Sequence, residues 1–306
     1  VCVPSQYLPL FTSLEQNFSV SQGAPASTEI VVVDDCGNAV TSGTTGSTFS
    51  TGDRPLDLVS LGDGRWQATW VPRGDQGYTS VNVAATDTAQ SIASGTSVPL
   101  SGFVQNSINA PVLSIAGAVT TLDGQPQLAL APGSYIRIRG TRLADNAAQV
   151  SDVPQPQVGN TTVSVGGLPL LLQSVAPGEI VALVPGNIPV NTSLPLVVAN
   201  GSYLSAPEQV LVAQSWPVVE TASLVGGALV LEVTGVGAMD GERPRAPFAV
   251  EIGGKRVRVE RLSADPARAG VYWVRVPVGS EDWNGATVEV VGATARTSRT
   301  QVTAGR

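Results

Sequence analysis

The chain has no histidine, a single methionine, a single lysine (Lys255), two cysteines and five each of tryptophan, tyrosine and phenylalanine in 306 residues. Without histidine there is no Ser-His-Asp or Cys-His nucleophilic system, and the commonest zinc ligand is missing. Two thiols are too few for a cysteine zinc site. The GxSxG elbow and the GxxxxGK[ST] and GxGxxG phosphate cradles do not occur either, so no catalytic residue, cofactor or metal is expected. No run of 18 apolar residues exists, which excludes the usual membrane-spanning helix. Charge is scarce as well, at 13% of residues against 42% hydrophobic, the reverse of a disordered chain.

What charge there is falls unevenly. Residues 1–215 hold 6 arginines against 14 acids, a balance of −8, whereas residues 216–306 hold 11 basic residues against 10 acids, a balance of +1. No basic cluster with stacking aromatics appears, and nucleic acid is not an expected partner.

The 33 glycines and 22 prolines cut the chain into short Val- and Thr-rich runs, none long enough for a helix. That spacing predicts antiparallel β-sandwiches. Within 131–213 the blocks YIRIRGTRL, TTVSVGGLPLLLQSV, EIVALVPGNI and LPLVVANGSYLSAPEQVLVA follow one another. LEVTGVGA, FAVEIGGKRVRVERL, VYWVRVPVGS and ATVEVVGATARTSRTQVTA then repeat that order from residue 231. Four blocks recurring in sequence indicate a duplicated fold. Residues 1–104 read as a further sandwich, with TEIVVVDDCGNAV ending in turn residues, an Asp63-Gly64 hairpin, and Trp66 and Trp70 on one strand face. The expectation is an all-β chain of three tandem immunoglobulin-like sandwiches, at 1–104, 105–215 and 216–306. The connector 105–130 supplies a first strand to the second, and one helical turn is allowed at 264–271, started by Pro266.

The runs APGSYIRIRGTRLA, VSVGGLPLLLQSVAPGEIVALVPGNI, TGVGA, VEIGGKRVRV and GVYWVRVPV resemble the uncharacterised C-terminal domain of large secreted proteins of Solibacter-type Acidobacteria, whose first half is similar to IPT/TIG immunoglobulin-like folds. The segments CVPSQYLPLFTSL, VVVDDCGNAVTSG and DGRWQATW resemble the immunoglobulin-like domain that often precedes it. The chain departs from that pattern at Glu179-Ile180-Val181. The resemblance implies an exported, surface-associated module and carries over no catalytic residue.

Cys2 and Cys36 are either two unrelated thiols or one disulfide of an exported protein; we expect the disulfide, with the chain outside the cytoplasm, as the absence of an initiator Met and signal core also suits. Asp34, Asp35, Asp57, Asp63 and Asp75 are dense enough to invite a calcium site or a hydrolase pair, but Asp beside Gly or Asn is also how tight turns are made. Among the tryptophans, Trp66 and Trp70 suit a core, Trp273 or its neighbour Tyr272 must face outward, and Trp283, in EDWNG, suits a contact with another subunit or a glycan. Lys255, Arg256 and Arg258 alternate with Val257 and Val259 against Glu251 and Glu260. They form either a solvated face with cross-strand pairs or a basic patch for the acidic part of a neighbouring molecule. Sequons stand at Asn17, Asn160, Asn191 and Asn200. Two roles follow. One is a self-associating structural subunit of a surface fibre, layer or appendage, whose lead segment pairs with a sheet edge of its own domain or of a neighbour. The other is a glycan- or polymer-binding module with exposed aromatics near Trp283 or at residues 73–78.

Overall fold

The computed structural model describes residues 1–306 apart from 75, 91, 108, 123–128, 151–152, 278–282, 294–299 and 305–306. Asp75, the middle of the connector and parts of the last two repeated blocks thus lie outside the described residues. All described elements are strands, and no helix is long and apolar enough to cross a membrane. Two compact units form, Val1–Ala116 and Gly117–Arg306.

The first unit is one sandwich. Its first layer runs Tyr7–Phe11, Ala26–Asp34, Arg65–Trp70, Leu56–Gly62, and its second runs Thr44–Phe49, Gly77–Thr86, Leu100–Gln105, Phe18–Ser21. With the lead segment as strand A, this is the A-B-E-D and C-F-G order of the immunoglobulin fold. The pairing Thr45↔Leu58 carries hydrogen bonding from one layer to the other. The lead segment is shared: Tyr7–Phe11 pairs antiparallel with Ala26–Asp34, and Phe18–Ser21 pairs parallel with Leu100–Gln105.

Period-two alternation sets the core here. In Gly77–Thr86, Val81, Val83 and Ala85 point inward, as the alternation predicts. Trp66 and Trp70 are both buried, but on separate clusters: Trp66 with Tyr7, Ile30, Val32 and Leu58, Trp70 with Phe18, Phe49, Val81 and Val104. Asp63 and Gly64, with φ of 44° and 82°, make the two-residue hairpin between Leu56–Gly62 and Arg65–Trp70.

The second unit holds two sandwiches of one topology. In the earlier, Tyr135–Thr141, Glu179–Leu183 and Leu171–Val175 lie side by side, facing Thr161–Val165, Thr192–Asn200 and Glu208–Val212. In the later, Val218–Val225, Ala228–Thr234, Tyr272–Pro277 and Arg261–Ala264 face Lys255–Val257, Ala249–Ile252, Thr287–Val291 and Thr300–Gln301. The duplication shows most plainly in the hairpins. Gly166-Gly167 joins Thr161–Val165 to Leu168–Pro169 with φ of 58° and 82°, and Gly253-Gly254 joins Ala249–Ile252 to Lys255–Val257 with φ of 56° and 80°. Both positions need positive φ, which glycine alone adopts without a steric cost.

The connector supplies a first strand to the second sandwich, as expected: after Val112–Leu113 and a turn at Gly117 with φ of 64°, Val119–Thr120 pairs antiparallel with Tyr135–Thr141. One expectation needs correction. Residues 264–271 make no helical turn. Asp265 instead accepts a hydrogen bond from the backbone N–H of Ala267 at 2.9 Å, closing an Asx turn that competes with helix at this short Pro-containing site.

Candidate functional site

Three places carry the polar and aromatic residues that sequence reasoning singles out. The first is the corner where strand Ala26–Asp34 ends. Cys2 and Cys36 are disulfide-bonded, with Cα atoms 5.8 Å apart. Asp34 Oδ1 accepts from the backbone N–H groups of Cys36 and Asn38 at 2.9 and 2.8 Å, and its Oδ2 accepts from Asn38 Nδ2 at 2.9 Å. Asp35 accepts from the backbone N–H and the hydroxyl of Ser5. The Asn38 amide chiefly holds the Asp34 carboxyl below its ordinary range, and the Ser5 hydroxyl does the same for Asp35. Oxygens of the two carboxylates and the Cys36 sulfur lie within 4.8 Å of one another, but the sulfur is covalently committed and the carboxylates build the turn. Their chemistry is structural.

Reducing the bond frees a loop spanning 34 positions of sequence and should lower the first sandwich's stability by about 3–4 kcal/mol on the chain-entropy model. Urea titration with and without a reductant reads this directly; an unchanged midpoint would mean that closing the loop contributes nothing.

The second place is the basic strand and Trp283. Lys255, Arg256 and Arg258 are all exposed, while Val257 and Val259 pack on the third core. Arg256 lies opposite Glu251 in register, and Arg275 bonds Glu260 at 3.1 Å, so cross-strand pairing is present around the patch. Trp283 is not the freely exposed aromatic that its turn setting suggests. It is half-buried and packs against the core of Leu229, Val250, Val274 and Val288. Strand alternation leaves Trp273 outward, 39% exposed, and Tyr272 inward.

The third place, which the sequence does not mark, is the joint between the two sandwiches of the second unit. The Gly235 N–H donates to Gly133 O at 2.9 Å, and the Gly237 N–H to Pro132 O at 3.2 Å. The Tyr135 hydroxyl donates to Ala269 O at 3.0 Å, and burial raises its pKa. Beside it Arg268 bonds Glu232 at 2.5 Å and Asp265 at 2.8 Å, and lies 3.8 Å from Glu220. Burial raises the Glu220 pKa, Arg268 pulls it back and Glu232 pushes it up. Next to this weld lies a cleft of about 360 Å³, lined by Asn187, Ile188, Val190 and Gln214 on one side and Ala238, Arg245 and Ala246 on the other. Its lining offers the amides of Asn187 and Gln214, the Arg245 guanidinium and aliphatic side chains.

Two further features stand out, of which sequence reasoning anticipates only an exposed aromatic at residues 73–78, Tyr78, and neither its partner Phe103 nor the burial of Asp53. Asp53 is buried, accepting from Trp70 Nε1 at 3.1 Å and from the backbone N–H groups of Arg73 and Gly74 at 2.9 and 3.0 Å. Tyr78 and Phe103, which face each other in register on neighbouring strands, form an exposed edge-to-face pair with ring centroids 5.4 Å apart. Of the sequons, Asn17, Asn160 and Asn191 are exposed. Asn200 is only 8% exposed and its Nδ2 donates to Asp145 at 2.9 Å, which removes it as an acceptor of glycan in the folded chain.

No protein-family model matches the chain, and no curated protein matches it. Among solved structures, it is similar to the I9–I11 tandem of titin at 7% identity, over 97% of this chain and 100% of that one, with a TM-score of 0.21. It is similar to the adhesin FdeC of Escherichia coli at 15% identity, over 97% and 96%, with a TM-score of 0.23. The dimeric latent PorU of Porphyromonas gingivalis follows at 11% identity and a TM-score of 0.33, and this chain spans 34% of that one. The fold rests on the strand order itself, and nothing about a site follows from these likenesses.

Proposed function

We propose that the chain is a non-catalytic extracellular module, a structural and self-associating segment of a cell-surface fibre, layer or adhesive appendage. Its functional segments are 1–104, 105–215 and 216–306. The observation that carries this reading is the joint in the second unit, where backbone hydrogen bonds from Gly235 and Gly237 fix one sandwich to the next. A protein whose task is to hold a shape gains from such a joint; an enzyme gains from a mobile cleft and a reaction centre. The Cys2–Cys36 disulfide supports a place outside the cytoplasm. The resemblance to exported Solibacter-type domains with an IPT/TIG-like part points the same way.

Self-association is assigned to the exposed Lys255, Arg256 and Arg258, with Trp283 at the margin of the contact, meeting the acidic residues 1–215 of another copy. Light scattering coupled to size exclusion, run over a range of concentrations, should give a mass above that of the monomer at low salt. The variant K255E/R256E/R258E should return it to 31.3 kDa. A wild-type chain that stays monomeric at every concentration overturns the assignment.

A second reading, binding of a glycan or surface polymer, is favoured by one specific observation, the exposed pair Tyr78 and Phe103.

A further inference from the structure

The second layer of the first sandwich, with strands Phe18–Ser21, Thr44–Phe49, Gly77–Thr86 and Leu100–Gln105, contains no Asp, Glu, Lys or Arg at all. Its inward positions are accounted for by the core: Phe18, Phe49, Val81, Val83 and Val104. Its outward positions follow from the register. Ser19 lies beside Phe103, Phe103 beside Tyr78, Ser101 beside Ser80, and Thr48 beside Asn82. The face is therefore a field of hydroxyls and amides with one aromatic pair set in it.

That pair lies outside both core clusters of the first sandwich. Tyr78 is 84% exposed and Phe103 38%, at inner-strand positions of a sheet whose other outward residues are small and polar. At the end of the pair, Asn106 Nδ2 donates to Gln76 Oε1 at 2.7 Å, placing two primary amides next to the Tyr78 strand. A ring pair of this kind offers one aromatic face and one edge, a surface suited to the C–H face of a pyranose ring. The surrounding hydroxyls and amides are donors and acceptors of the kind that sugar hydroxyls need.

We propose that this face is a binding platform for a neutral oligosaccharide, one or two pyranose rings stacked on Tyr78 and Phe103. The inference rests on the binding reading above and gives it a place and a ligand class. The absence of charge from all four strands argues against anionic polymers, nucleic acid and acidic lipid, which are held by cations. Scaled by their exposures of 84% and 38%, the two rings offer about 180–300 Å², less than the roughly 800 Å² per partner of a stable protein interface and of the size of a sugar ring or two.

The test is affinity electrophoresis of the whole chain in gels containing hydroxyethyl cellulose, laminarin, xylan or galactomannan, with polygalacturonate as the anionic control. Binding to the retarding polymer is then measured by calorimetry on its hexasaccharide. At least one neutral polymer should retard the chain, polygalacturonate should not, and added salt should leave the retardation unchanged. Y78A and F103A should each weaken binding at least tenfold with melting temperature unmoved, whereas Y78F retains it. W273A, which removes an exposed tryptophan elsewhere, should have no effect. No retardation by any neutral polymer overturns both the site and the binding reading. Retardation that survives in Y78A/F103A overturns the site alone. Loss of self-association in Y78A/F103A, without any sugar binding by the wild type, makes the face a protein interface and equally overturns the proposal.

Discussion

Trp70→Ala should cost the first sandwich about 3–5 kcal/mol, the range for emptying a buried tryptophan site. Trp70 is 1% exposed, stacks on Phe49 with centroids 4.5 Å apart and meets Phe18 edge-on at 6.0 Å. Truncation removes those contacts together and also the indole N–H that serves the buried carboxylate of Asp53. A polar group stranded in the core adds its own desolvation cost to that of the cavity. Trp70→Phe separates the two effects, since it keeps a ring in the pocket but loses the N–H; it should cost about 1.5–3 kcal/mol, the value of a hydrogen bond to a charged group. Urea denaturation followed by circular dichroism measures both variants. Equal losses for the two would show that the lost N–H accounts for the whole effect and that a ring in the pocket contributes nothing, whereas no loss in Trp70→Phe would show that the bond to the carboxylate contributes little.

The second large effect belongs to the weld in the other unit. Gly235 has φ of 66°, and a Cβ there would lie 2.2 Å from the carbonyl oxygen of Trp216 and 3.3 Å from Ser134 Cβ. Gly235→Ala thus combines left-handed backbone strain with a collision against main chain that no side-chain rotation relieves, at a cost of about 2–5 kcal/mol. Gly241→Ala is the comparison. It has φ of 60° but nothing within 4 Å of the added carbon, so it should lose only about 1 kcal/mol from strain alone. Chemical denaturation of both variants decides the matter, because equal losses would mean that the joint yields freely and is not a weld.

Much of the fold was legible because local chemistry and register agree. Asp63-Gly64, Gly166-Gly167 and Gly253-Gly254 are turns by composition, and each sets the pairing of the strands beside it. Trp66 and Trp70 could be placed inside from alternation alone. What escaped depended on contacts distant in sequence. Trp283 sits within a segment, EDWNG, that reads as a turn, yet the third core draws its ring in. Asp53 resembles any loop aspartate until Trp70, 17 residues later, comes down on it. The pairing of Tyr78 with Phe103 needs the register of two strands, although the uncharged run of GYTSVNVAAT and LSGFVQ was visible to anyone asking what their outward residues lacked.

The cross-link between Cys2 and Cys36 also decides how the first sandwich meets a pull. Tension that enters ahead of Cys2 passes through sulfur to Cys36 and leaves residues 3–35 slack, so the parallel ladder between Phe18–Ser21 and Leu100–Gln105 is spared. Once the thiols are free the same force runs through that ladder, whose bonds must then shear together. Oxidation thus acts as a strain relief, and the redox state of the surroundings determines which part of the domain gives way first.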